Sequence, residues 1–382
     1  MLTNWYLIFA AALVESFLLS IALTALMRWV SMRWDIVDHP GERKIHTKPI
    51  AVLGGVAIYL TFNIVIFGNI LLLEPAGFLG FDWIKENVLG YLGEGTWRPL
   101  LGVAAGGLVI FVLGVVDDLR DLKPEAKLAG QVAAALILVL SGIRLDLFIE
   151  PLLRNIPVVS GMGDETFAVI NVGISSIVTM FWVILMTNAM NFLDNMDGLC
   201  GGVSAIAAVS FFLCVLPHEE YFICALLMVF AGSVTGFLYH NLSPARIFMG
   251  DSGAMFCGYI LATVAVLGTF YSGTISSRAA VAAPILALSV PLFDTLSVVF
   301  IRWRKGESIM KGDKRHFSHR LVELGMTPRQ AVEFIFLVAA ITGLGGSLLS
   351  QVGAMGTVVI LCQTVGIFLL IVLLMIARRD AS

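Results

Sequence analysis

The sequence predicts an all-α polytopic integral membrane protein of about eleven transmembrane helices, N-terminus outside and C-terminus cytoplasmic. Three observations predict it. Mean hydropathy is +0.93, and only 13% of the 382 residues are charged, where a soluble domain carries about 25%. A soluble fold of this length has too little interior for so much apolar surface. The apolar residues form continuous runs rather than an alternation, which excludes a β-barrel and leaves helices, whose backbone hydrogen bonds close within one segment. Finally, the basic residues segregate to alternate connections, as the positive-inside rule requires of cytoplasmic loops.

Taken in order, the runs place spans near 5–30, 51–73, 98–116, 126–142, 168–187, 199–216, 220–240, 253–271, 279–301, 330–350 and 355–377. The first has no basic segment before it and exceeds the roughly 7–15 residues of a signal-peptide core, so it reads as a span. The fourth is the shortest and has little length to spare for tilt. With these spans, all but five of the 24 Lys and Arg residues (Lys85, Arg98, Arg144, Arg154 and Arg278) fall on the C-terminal side of the membrane. A miscounted span would scramble that segregation. The net charge of −3 makes no case for nucleic acid, and the five cysteines lie in or beside apolar runs without metal-ligand spacing, as packing residues do. No internal repeat divides the chain, which reads as a single transmembrane domain over 1–382.

The acidic motifs all fall at the predicted cytoplasmic boundary, where water, metal or substrate can meet them; carboxylates deeper in a bilayer are costly. Asp117 and Asp118 close the third span, and two adjacent carboxylates ionise comfortably only beside a cation. Mg²⁺ is the natural one, with Mn²⁺ as a substitute, because a hard ion takes one or two carboxylates and completes its shell from phosphates. In Asn188-Ala-Met-Asn191-Phe-Leu-Asp194-Asn-Met-Asp197-Gly198 the polar residues recur every third position and share one helical face. Helix capping accounts for one or two of them, not four. In Met249-Gly250-Asp251-Ser252-Gly253, two glycines flank an acid at the start of the eighth span, an arrangement that lets backbone approach a ligand and also suits an N-cap.

Residues 302–329 form a basic cytoplasmic loop that holds His316, His319 and Arg320. Imidazole and guanidinium together suit a pyrophosphate; two histidines without a further ligand do not complete a zinc site. Topology enforcement and contact with anionic lipid are the plainer roles of such a loop. Lys44 and His46 precede a glycine-bearing helix start, and Lys127 and Gln131 lie one turn apart just past the Asp pair. Asp294 falls inside the ninth span, which marks it as functional by default, and Glu15 falls inside the first, where a buried hydrogen bond is the plainer role.

The set VVDDLRD, NAMNFLDNMDGL, PARIFMGDSG and DKRHFSHRLVELG, in that order and on alternate loops, resembles the polyprenyl-phosphate N-acetylhexosamine-1-phosphate transferases, nearest the bacterial undecaprenyl-phosphate N-acetylglucosaminyl-1-phosphate transferases. The resemblance runs over about 43–329. It implies ten or eleven helices around a cytoplasmic active site in the bacterial inner membrane, a UDP-amino sugar and undecaprenyl phosphate as substrates, Mg²⁺ as cofactor, and room for a homodimer. It implies catalytic roles for Asp117, Asp118, Asp194 and Asp197, and metal ligation by Asp251 with Asp117 and Asp118. Lys44, His46, Lys127, Asn188, Asn191, His316, His319 and Arg320 become substrate-binding candidates. Ser318 stands where relatives carry the middle histidine of this loop, so the chain departs from the resemblance at one sugar-nucleotide contact. The same chemistry on another UDP-N-acetylhexosamine, or on UDP-MurNAc-pentapeptide, is the near alternative. A proton-coupled transporter is the distant one, but carriers place charge near the bilayer midplane and show inverted repeats.

Overall fold

The computed structural model describes residues 2–40, 48–78, 96–145, 153–157, 161, 163–268, 282–307 and 315–379. The chain forms α1 (Leu2–Arg33), the short strands β1 (Val37–Asp38) and β2 (Ile50–Ala51), α2 (Gly54–Phe78), α3 (Trp97–Arg120), α4 (Pro124–Leu140), α5 (Asp164–Leu193), α6 (Leu199–Val215) and α7 (Tyr221–Asn241). Then come α8 (Gly250–Leu267), α9 (Ala283–Ala287), α10 (Ser289–Lys305), α11 (Phe317–Glu323), α12 (Pro328–Leu348) and α13 (Ala354–Arg379). The protein is a helical, polytopic membrane protein. Among the described residues nine helices are long and apolar enough to cross a bilayer: α1, α2, α3, α5, α6, α7, α8, α12 and α13.

Two of the eleven expected spans depart from that set. The run 126–142 folds as α4, which at 17 residues is one turn short of a full crossing. The run 279–301 is two helices, α9 and α10, broken at Leu288. Pro291 explains the break: in a continuous helix its ring would meet the carbonyl of Ala287, whereas in the first turn of α10 its missing N–H costs nothing. The two strands pair antiparallel, Val37 opposite Ala51 and Asp38 opposite Ile50. β2 is also tied to the segment before α8, since Phe248 N donates to Ala51 O at 2.7 Å and Gly55 N to Met249 O at 2.8 Å.

The centre of the bundle is α8, packed against α2, α3, α5 and α6, with 78% of its apolar window buried. Small residues make this packing close, the usual device where lipid supplies no hydrophobic drive between helices. A Cβ at Gly55 would stand 2.1 Å from Gly253 N, and one at Gly114 2.3 Å from Ser252 Cα. The N-terminal turn of α8 is thus pressed between α2 and α3. On the far side, α7 lies along α1 through Gly232 and Gly236, against Ser16, Phe17 and Ser20, and Ser20 Oγ donates to Ser233 O at 2.5 Å.

That seam yields a stability prediction away from the acidic cluster. A Cβ at Gly232 would lie 2.5 Å from Leu13 O, and neither helix backbone can yield cheaply. Gly232→Ala is expected to cost about 1–3 kcal/mol by overpacking, seen as a lower thermal midpoint in detergent. An unchanged midpoint would mean that α1 and α7 do not pack through this seam.

Candidate active site

The site is assembled from the ends of α3 and α5 and the starts of α4 and α8. Asp121, in the left-handed region at φ 48°, ends α3, and Pro124 begins α4 three residues later. The sharp reversal folds Lys127 back onto the end of α3, where its ammonium pairs with Asp117. The same ammonium lies 3.0 Å from Asp251 Oδ2. The other oxygen of Asp117 accepts from Leu122 N at 2.7 Å, so the carboxylate, 5% exposed, is held by both the turn and the lysine.

Asp118 does a different job. Its two oxygens accept from Asp251 N at 2.7 Å and Ser252 N at 3.2 Å. An anion on the first free N–H groups of a helix satisfies them and complements the helix dipole, and here it comes from a residue 133 positions earlier. Gly250 makes room for it: φ is +70°, and a Cβ there would stand 2.7 Å from both Asp118 oxygens. The metal-ligand role expected of Asp118 therefore competes with two backbone hydrogen bonds. Asp251, which Asp118 positions, turns its own carboxylate toward the cluster, with Oδ1 accepting from Asn191 Nδ2 at 2.8 Å.

The 188–198 motif divides its work. Asn191 orients Asp251, as above. Asn188 forms a reciprocal amide pair with Gln131, at 2.7 and 3.2 Å, and gives a further bond to Ile184 O at 2.8 Å. Both faces of its amide are thus committed to joining α4 and α5. Asp194 follows the last turn of α5. Burial, reinforced by the charges of Asp251, Asp118 and Asp197, pushes its carboxyl up to about 8. Asp197 Oδ2 accepts from Ala245 N at 3.0 Å, and so ties this loop to the one that leads into α8. Sequence reasoning passed over Asn241, whose amide accepts from Gly198 N at 3.0 Å and donates to Ile247 O at 2.8 Å. A polar residue ending an apolar helix was the available signal.

The basic loop closes on the same region. His316 stands at the N-cap of α11, its ring centroid 6.0 Å from that of Phe192. Ser318 Oγ donates to Asn195 Oδ1 at 2.5 Å. At 1% exposure, Ser318 fastens α11 to the acidic loop. Arg320 bonds the Ser297 hydroxyl and lies 5.8 Å from the centre of the Phe293 ring, so α10 anchors it. His319 is partly buried on the same turn. Lys44, His46 and 308–314 of the basic loop lie outside the described residues.

Whether the residues suit a divalent cation follows from the donor set. Asp117 and Asp251 share one ammonium as they would share a metal ion. Among the described residues no three His, Cys, Asp or Glu side chains converge tightly enough to hold an ion by themselves. Mg²⁺ needs only one or two protein carboxylates and takes the rest of its shell from phosphate and water, so the Asp117–Asp251 pair is a donor set of the right chemistry. The donors fit.

Such a cluster, held at one end of a helical membrane bundle beside a histidine-bearing loop, is a donor set suited to a charged ligand such as a phosphate. Residues 100–269 match the family described as glycosyl transferase family 4. Decaprenyl-phosphate N-acetylglucosaminephosphotransferase of Mycolicibacterium smegmatis is 32% identical, over 85% of this chain and 78% of its own length. A probable undecaprenyl-phosphate N-acetylglucosaminyl 1-phosphate transferase of Bacillus subtilis is 29% identical, over 89% of this chain and 84% of its own. Undecaprenyl-phosphate alpha-N-acetylglucosaminyl 1-phosphate transferase of Escherichia coli O157:H7 is 25% identical, over 86% and 80%. The chain belongs to glycosyl transferase family 4 and is a glycosyl-1-phosphate transferase.

Proposed function

We propose that this enzyme transfers N-acetylglucosamine 1-phosphate from UDP-GlcNAc to undecaprenyl phosphate, releasing UMP and starting a cell-surface glycan on the lipid. Its site faces the cytoplasm of a bacterium across the inner membrane. The observation that carries the reading is the meeting of Asp117 and Asp251 at one lysine, with Asp118 on the backbone of Asp251 and the His316 loop fastened to the acidic loop. The names of the relatives point to the same sugar.

In this reaction a phosphate oxygen of the lipid attacks the β-phosphorus of the UDP-sugar, and UMP leaves. Both reactants are anions, so the main task is neutralising their repulsion and the charge on the leaving group. Mg²⁺ held through Asp251 and Asp117 would supply that neutralisation when bound with the pyrophosphate. Asp118 keeps the start of α8 in place and so sets where Asp251 stands; Asn191 sets which way its carboxylate points. Lys127 balances the acid pair and sits where it can turn to a substrate phosphate. A phosphomonoester has a second pKa of about 6, so the lipid phosphate is largely a dianion near neutrality. A strong general base is therefore not demanded of Asp117, Asp194 or Asp197. Residues 302–329 are the part of this single domain that receives the nucleotide, through His316, His319 and Arg320, with Lys44 and His46 contributing from the loop before α2.

Purified protein in detergent with undecaprenyl phosphate, Mg²⁺ and a panel of UDP-sugars should release UMP fastest from UDP-GlcNAc, and a chelator should stop it. UMP release that needs no lipid acceptor, or a preference for UDP-MurNAc-pentapeptide, would sink the proposal. Eleven crossings are completed if α4 and the α9–α10 pair also traverse the membrane. Reporter fusions should then find the two termini on opposite sides with the C-terminus inside; both ends on one side would refute the topology.

A further inference from the structure

Asp294 is a buried acid to which phosphoryl transfer gives no task. It lies in α10 at 0% exposure, where an ionisable side chain is costly unless it is bonded. Both oxygens are bonded, and to consecutive residues of the basic loop. Oδ2 is 2.9 Å from His316 Nδ1, and Oδ1 accepts from Phe317 N at 2.5 Å. Capping α11 needs one acceptor, and a neutral Ser or Asn would provide it. The second oxygen, aimed at the imidazole, is the part that capping does not explain.

A carboxylate only accepts, so the proton of the pair sits on His316 Nδ1, and Asp294 leaves the other ring nitrogen, Nε2, uncommitted. The ring cannot swing away. Phe192 flanks it, the Ser318–Asn195 bond pins the next turn to the acidic loop, and Arg320 is anchored on Ser297 of α10. His316 therefore has its tautomer and its direction set from behind, on a helix that the Ser318–Asn195 bond fastens to the acidic loop.

We propose that Asp294 is a positioning residue for the transfer: it holds His316 through Nδ1 so that Nε2 meets the pyrophosphate of the nucleotide sugar, and it compensates the charge on the ring when that anion binds. This rests on the reading that the 302–329 loop receives the nucleotide. Asp294 touches no substrate. Its influence passes through one imidazole, much as a buried carboxylate orients and steadies a catalytic histidine elsewhere.

The informative substitution is Asp294→Asn. Its Oδ1 can still accept from Phe317 N, so the cap on α11 survives, but its NH₂ now donates to Nδ1 and moves the ring proton to Nε2. Nitrogen NMR of labelled histidine, with the His316 signal assigned by its loss in His316→Gln, should show that change of tautomer. UMP-release kinetics should show kcat/KM for UDP-GlcNAc lowered about 10- to 150-fold, the size of one charge-assisted hydrogen bond. KM for undecaprenyl phosphate and the thermal midpoint should barely move. On the His316→Gln background the same change should add little, because the two residues act as one unit. An unmoved tautomer signal, or losses that multiply in the double variant, would overturn the proposal and leave Asp294 as a helix cap. Absence of UMP release from the unaltered protein would instead sink the reading of the loop, and the nitrogen spectrum would still decide whether Asp294 holds the ring.

Discussion

Asp251→Asn is expected to abolish turnover while leaving the protein folded. The amide replaces the carboxylate atom for atom: its oxygen can still accept from Asn191 Nδ2, and the backbone N–H groups at the start of α8 remain on Asp118. What disappears is a negative charge 3.0 Å from Lys127, at the place proposed for the cation. If that cation supplies several kcal/mol of transition-state stabilisation, the loss in kcat is at least about 10³-fold, since each 1.36 kcal/mol is a factor of ten. UMP release measures it, and calorimetric titration of Mg²⁺ with UDP-GlcNAc present should show weakened metal binding. Full turnover in this variant, or in excess chelator, would refute the metal site.

Lys127→Met should give the second-largest effect, on stability as well as rate. The ammonium joins a carboxylate that is almost wholly buried to one about a third exposed. Breaking a buried pair by removing one partner costs about 3–5 kcal/mol, and the exposure of Asp251 argues for the lower end of that range. The melting midpoint in detergent should fall, and Mg²⁺ should recover more of it than in the unaltered protein, because the ion can take the vacated place between the two acids. Lys127→Arg, which keeps the charge, should stay near the original midpoint. If Lys127→Met melts at the wild-type temperature with and without Mg²⁺, the lysine does not bridge the acids in solution.

Much of the architecture was legible in the sequence, because the signal for a membrane helix is the length and composition of one continuous run. That signal is local, and nine of the predicted spans stand among the described helices. Two runs departed from it where a second local rule intervened: Pro291 broke the run at 279–301, and the run at 126–142 folded as a helix of 17 residues, at the short end of the length that crosses a bilayer. The candidate acids were legible too, since carboxylates at the ends of apolar runs are conspicuous. The function each performs was less so. Asp117 and Asp118 are neighbours in the chain, yet one faces a lysine and the other caps α8. Successive residues on a helix point about 100° apart, so adjacency in sequence does not mean a shared ligand.

By itself, then, the sequence determined the class of the protein, the rough number of its spans and the gathering of its polar motifs at the ends of those spans. Those follow from composition along the chain and from the cost of placing charge in lipid. Only the tertiary structure decided which groups meet. Asp118 finds the α8 N-terminus because Gly114 and Gly55 let three helices close to backbone contact. Lys127 finds Asp251 because the Asp121–Pro124 turn reverses the chain at the right height. Ser318 finds Asn195, and His316 finds Asp294, because α11 folds back onto α10 and the acidic loop. Each of these pairings joins residues on different segments through helix packing, and no local pattern of residues carries that information.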